Sequence, residues 1–184
     1  MTQKEMTEIF GIMLLAYPNA ETFKGGIQKL LPTINLWCTC LPEVDFWIGQ
    51  QAVIKLCREC KYPPTIAEFR EKADAVKSEI QQKIMTDWDQ LRMAIKLIKM
   101  LPEEAVERIG GTAKLAVAAM GGADKLIIQE EHEFGDGRRE TVEVFDFNSF
   151  RAAYEKVLRK QAALPGAGRP AIGAGTKQIG GNTL

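Results

Sequence analysis

The chain has 184 residues, 46% of them apolar, with 24 Lys plus Arg against 24 Asp plus Glu. A net charge of zero gives no global field to hold a polyanion, which argues against general coating of duplex nucleic acid by charge and leaves a weak or indirect local patch for any such contact. No apolar run exceeds six residues, the length of Ile12 to Tyr17, far below the ~20 needed to span a bilayer, and the polar start Thr2-Gln3-Lys4-Glu5 has no leader pattern, so the chain reads as cytoplasmic, with no membrane partner.

Thr2-Gln3-Lys4-Glu5 has capping-box form, and Met6, Ile9, Phe10, Met13, Leu14 and Tyr17 follow at helical spacing until Pro18-Asn19. Gly25-Gly26 and Pro32 interrupt the next stretch, so Ile27 to Leu31 reads as a short turn. A second helix is predicted from about Thr33, with Ile34, Trp37 and Leu41 on one face. Pro42-Glu43 opens a third, running to Cys60. Its apolar residues (Val44, Phe46, Trp47, Ile48, Val53, Ile54 and Leu56) are too many for a narrow stripe, which marks it as the central, most buried helix.

Tyr62-Pro63-Pro64 is a hard stop, and Thr65-Ile66-Ala67-Glu68 a second capping box. From Thr65 to Leu101 there is neither Gly nor Pro. Ile66, Phe69, Ala73, Val76 and Ile80 are spaced three and four apart, and Ile84, Trp88, Leu91, Ile95 and Ile98 resume the pattern after an extra four-residue step, a stuttered heptad. The expectation is a long helix linking two lobes, either unbroken, at roughly 50 Å, or broken near Lys77 to Lys83.

Pro102-Glu103-Glu104 suits a helix start, Gly110-Gly111 its end, and Lys114 to Met120 a further short helix closed by Gly121-Gly122. Ile128 to Phe134 and Arg138 to Phe145 alternate polar and apolar residues around Gly135-Asp136-Gly137, which predicts a β-hairpin. Asp146 or Asn148 then caps a last helix with Phe150, Tyr154, Val157 and Leu158 along one side. Beyond Leu164-Pro165 the Gly-rich tail lacks the apolar residues to offset its ordering entropy. The fold class is therefore mainly α, organised as an N-terminal helical bundle (1–75), a connecting helix (76–101), a small C-terminal lobe with the hairpin (102–165) and a disordered tail (166–184).

Charge is uneven despite the zero total. Between Gln129 and Ser149 there are seven acidic residues against two arginines, and from Phe150 onward six basic residues against Glu155. Either the two stretches neutralise each other across a turn, or the second is a basic partner-binding end.

Chemistry has little to build on. His132 is the only imidazole, sits in the acidic run and reads as a surface residue, with pH sensing as the other reading. No Gly-x-x-x-x-Gly-Lys-Ser/Thr loop is present, which argues against nucleotide hydrolysis. Cys38-x-Cys40 and Cys57-x-x-Cys60 could supply four zinc thiolates on paper. Positions i and i+2 of a helix point about 200° apart, however, so Cys38 and Cys40 share an ion only if their helix unwinds. The alternative is four small thiols of a reduced protein. No catalytic residues and no cofactor are expected, and Trp37, Trp47 and Trp88 read as core residues on apolar faces.

Trp37-x-x-x-Leu41, a following helix with Ala52, and Tyr62-Pro63-Pro64-Thr65-Ile66-Ala67-Glu68 together resemble the phage replicative helicase loader/inhibitor family. The resemblance continues through Trp88 and Ile95, Ala116-Val117, Met120-Gly121-Gly122, and Phe150-x-x-x-Tyr154-Glu155 ahead of Leu164-Pro165. It implies a non-enzymatic protein with a helical N-terminal part that binds a DnaB-type hexameric helicase, restrains it and delivers it to an origin complex, where an origin-binding replication protein would be a further partner. It also implies a mobile C-terminal part that contributes to helicase binding. The acidic hairpin segment and the Gly-rich end depart from the family pattern. In this reading a basic amphipathic end docks on the helicase, with Phe150 and Tyr154 anchoring and Arg151, Lys156, Arg159 and Lys160 steering. Phe150 and Tyr154 could equally pin the last helix to its own lobe. Alternatives from other classes are a single-stranded-DNA-binding replication accessory protein and a phage assembly chaperone, with a zinc enzyme as a fourth.

Overall fold

A computed structural model describes residues 1–133, 135 and 138–162. The expected tail disorder and the turn positions Asp136 and Gly137 lie outside the described residues. The fold is mainly helical: α1 (Gln3–Ala16), α2 (Gly26–Lys29), α3 (Leu31–Cys40), α4 (Phe46–Glu59), α5 (Ile66–Lys96), α6 (Pro102–Ile109), α7 (Gly111–Met120), an antiparallel hairpin of β1 (Ile127–Glu133) and β2 (Arg139–Phe145), and α8 (Phe147–Ala162).

Both capping boxes form. The Thr2 N–H donates to the Glu5 carboxylate at 2.7 Å, and the Thr65 N–H to that of Glu68 at 2.7 Å, while each Thr hydroxyl accepts from the Glu N–H. Three boundaries differ from the sequence reading. Gly26–Lys29 is a helical turn, and the helix after it begins at Leu31, because Pro32 falls in the first turn where no N–H is needed. The third helix begins at Phe46 rather than Pro42, since Pro42 to Asp45 form a turn closed by the Val44 N–H donating to the Leu41 carbonyl.

Helix α5 takes the unbroken one of the two open forms. It runs for 31 residues, about 46 Å at 1.5 Å per residue, with no break near Lys77 to Lys83. That stretch is exposed except for Ile80, so nothing packs there to bend it, and its residues are strong helix formers. The helix ends at Lys96, and Lys99 turns the chain with φ of 60°. Ile98, expected on the buried stripe, therefore lies beyond the helix and is 56% exposed.

Apolar side chains gather into two clusters along this rod. The first joins α1, α3, α4 and the N-terminal half of α5 through Phe10, Ile34, Trp37, Val53 and Phe69. Phe10 and Phe69 meet the Trp37 ring edge-on, at centroid distances of 5.1 and 5.4 Å. The second joins the C-terminal half of α5 to α6, α7 and α8 through Ile84, Trp88, Leu91, Val117 and Phe150. Ile80 packs against both. Helix α7 is closed by Gly121, whose φ of 107° and N–H to the Val117 and Ala118 carbonyls need a residue without a Cβ.

Tyr17 ties the end of α1 to the end of α4, its buried hydroxyl donating to the Cys60 carbonyl at 3.2 Å. Burial pushes its pKa up to about 12, with Cys57 adding to the shift.

Two outcomes follow. Trp37→Ala should cost about 3–5 kcal/mol by leaving a cavity between Phe10 and Phe69, read as a lower denaturation midpoint. Between pH 10 and about 12 the unfolded chain has lost the Tyr17 proton while the folded chain keeps it, so stability falls as pH rises through that window. Tyr17→Phe should flatten that slope in urea titrations at pH 9, 10 and 11, and an unchanged slope would show that Tyr17 is not its source.

Candidate partner-binding site

Helix α8 carries all six residues expected to bind a partner. It starts because the Asp146 carboxylate accepts the Ser149 N–H at 3.0 Å, a cap that selects Asp146 over Asn148. The Ser149 hydrogen bonds hold the Asp146 carboxyl below its usual range.

The apolar side of α8 faces inward. Phe150 and Tyr154 are fully buried. Phe150 lies 4.9 Å from the Trp88 ring and 5.6 Å from Tyr154, centroid to centroid. The Tyr154 hydroxyl donates to the Asp87 carboxylate of α5, and burial, reinforced by that bond, raises its pKa. In this arrangement the aromatic pair pins α8 to its own lobe. An anchoring role on a partner would require α8 to leave the second core.

The four cations are exposed. Arg151 pairs with Glu155 at 3.1 Å, one helical turn along. Arg159 reaches the other lobe, with its guanidinium 5.5 Å from the centroid of the Trp47 ring on α4. Among the described residues no ion pair joins these cations to the carboxylates of β1 and β2. The hairpin's own pairs are internal, such as Arg139 with Glu133 at 3.3 Å and His132 beside Glu130 at 3.6 Å. Among the described residues the ion pairs of each stretch thus stay within their own element.

Trp37 and Trp88 are core residues as expected, but Trp47 is only half-buried. Its indole Nε1 is shielded from solvent without a hydrogen-bond acceptor. Sequence pattern missed this because Trp47 sits in an apolar run on the flank of α4, and its contact comes from a residue 112 positions away.

The four cysteines are free and half-buried, two on α3 and two at the end of α4. Among the described residues no group of His, Cys, Asp or Glu is placed to hold a metal, so the tetrahedral arrangement is not formed. Burial pushes the Cys57 thiol up, with Tyr17 opposing the shift. His132 is exposed on β1. No described helix is long and apolar enough to cross a membrane.

Tyr154→Phe keeps the ring and removes the hydroxyl, with its bond to Asp87 and its contact with Thr112, so it should destabilise by about 1.5–3 kcal/mol, the range for a hydrogen bond to a charged group. Denaturation by urea, followed through circular dichroism, checks this, and an unchanged midpoint would show that the hydroxyl contributes nothing.

No curated protein and no solved structure matches the chain. Residues 1–70 match the family model for the N-terminal domain of a phage helicase-loader/inhibitor protein family, over the segment holding α1 to α4 and the capped start of α5, and this match fits a phage helicase-interacting protein.

Proposed function

We propose that this protein is a non-enzymatic accessory of phage or prophage DNA replication that binds a DnaB-type hexameric helicase, restrains it and loads it at an origin complex. The observation that carries the reading is the family match over residues 1–70, made by a sequence whose remaining chain adds a basic, exposed helix face rather than a catalytic cluster. The division of labour has the N-terminal bundle (1–75) as the family-specific platform, α5 as the link and the lobe to residue 165 as the presenter of α8. Arg151, Lys156, Arg159 and Lys160 steer α8 onto an acidic face of the helicase. Phe150 and Tyr154 hold that face in place from beneath and need not touch the partner.

Charge reversal tests this without disturbing the core, because Arg151, Lys156 and Lys160 are exposed. Arg151→Glu/Lys156→Glu/Lys160→Glu should slow association with the ring helicase by roughly 10-fold at low salt and far less at high salt, with little change in dissociation. Surface-based kinetics at two salt concentrations supply both rates. Unchanged association by a variant with a wild-type melting profile would move the interface off α8, and stronger capture of single-stranded oligonucleotide than of helicase by the wild type would favour the DNA-binding alternative.

A further inference from the structure

A groove of about 500 Å³ runs between α5 and β2, and none of the exposed cations of α8 lines it. Its floor is aromatic: Trp88 lies 5.9 Å from Phe145 and 5.4 Å from Phe147, centroid to centroid. Its helical wall carries Arg92 and Lys96, one turn apart, and its opposite wall is Glu143–Phe145 of β2, with no residue of β1 lining it. The groove therefore follows the edge of β2 that faces away from β1. Among the described residues β2 has no other strand neighbour, so the outward N–H and C=O groups along that edge have no strand partner. Two-stranded hairpins are marginal alone, and such an edge is a template for another strand.

Charge selects among occupants. Lys96 lies over the Phe145 ring at 5.0 Å and is in no ion pair with a described residue. Arg92 has only a 3.8 Å contact with Asp89, both side chains being about half exposed, an arrangement of little strength. Glu143 is the one carboxylate of the lining. The α5 wall thus favours a carboxylate, while Glu140 and the acidic residues of β1 confine any acidic segment to the base of the hairpin. Residues 163–184 carry Arg169 and Lys177 and no acidic side chain, so charge disfavours them as the filler.

We propose that this groove receives a short extended segment of a partner protein, added as a strand along the base of β2, with apolar side chains on the aromatic floor and a carboxylate toward Arg92 and Lys96. Backbone pairing supplies the register and the two cations the selectivity, the combination used wherever a peptide is held between a strand edge and a helix. This site is independent of the α8 reading and stands or falls separately from helicase binding.

The test uses the isotopically labelled full chain and two capped six-residue peptides, one alternating valine with glutamate, the other valine with lysine. The glutamate peptide should shift the amides of Glu143–Phe145 and the Trp88 indole in a saturable way. It should also slow hydrogen exchange along β2 and bind roughly 10-fold tighter than the lysine peptide, since two exposed charge contacts are worth about that much together. Arg92→Glu/Lys96→Glu should reverse the preference, its fold checked by circular dichroism. Equal affinity for the two peptides, an unreversed preference in the variant, or no saturable shift at these residues up to millimolar peptide would overturn the proposal. Tighter binding of a peptide spanning residues 163–184 would overturn the partner assignment and make the groove a site for the chain's own end.

Discussion

The continuity of α5 is the constraint on which the other elements depend. Without Gly or Pro between Thr65 and Leu101, the helix has no local reason to stop, so both hydrophobic clusters must form on one rod. The stutter decides how. Each four-residue step advances a side chain by about 40° around the axis, so Val76, Ile80, Ile84 and Trp88 together turn the apolar stripe by about 120°. Phe69 and Val76 are thereby spent on the first cluster and Trp88 and Leu91 on the second, with Ile80 at the changeover. The exposed residues from Lys77 to Lys83 are what such a changeover leaves behind.

The second cluster is built from short helices, and that has a consequence for α8. Helices α6 and α7 have 8 and 10 residues and contribute mostly small buried side chains, Ala105, Val106, Ala113, Ala116 and Val117. Bulk has to come from elsewhere, and Trp88, Phe150 and Tyr154 provide it. An amphipathic helix whose aromatic side supplies the core of its own lobe has only its polar side to offer a partner. Under the proposed function, recognition through α8 would thus be a matter of charge placement, which controls encounter more than residence.

Local signals in the sequence carried the architecture well. The capping boxes at Thr2 and Thr65, the Gly121 stop and the alternation on either side of Gly135 each depend on residues a few positions apart, and all four appear where those residues place them. What was not legible depends on where distant segments pack and where they do not. The absence of a break in α5 reflects helix propensity prevailing where no neighbour packs. The burial of Phe150 and Tyr154 was one of two open readings, because an i, i+4 aromatic pair looks the same whether it fills a core or an interface. The match of Arg159 to Trp47 and of Lys96 to Phe145 joins segments with no sequence relation, so neither the inter-lobe contact nor the α5–β2 groove had a local signature.

The separation of charge is the feature that sequence posed and geometry answered. Had the carboxylates of the hairpin paired with the cations of α8, the zero net charge would have described the surface as well as the composition. Instead Arg151 pairs within α8 and Arg139 within the hairpin, leaving an acidic arm and a basic face on consecutive elements. Each short-range pair is exposed and weak, but keeping the two signs apart gives the C-terminal lobe a local dipole that a neutral total conceals. Under the proposed function, a charged partner would feel that dipole within a Debye length, about 8 Å at physiological salt, and would be turned by it before contact. Orientation on encounter would then be set by the lobe's own asymmetry, with Phe150 and Tyr154 kept in the core.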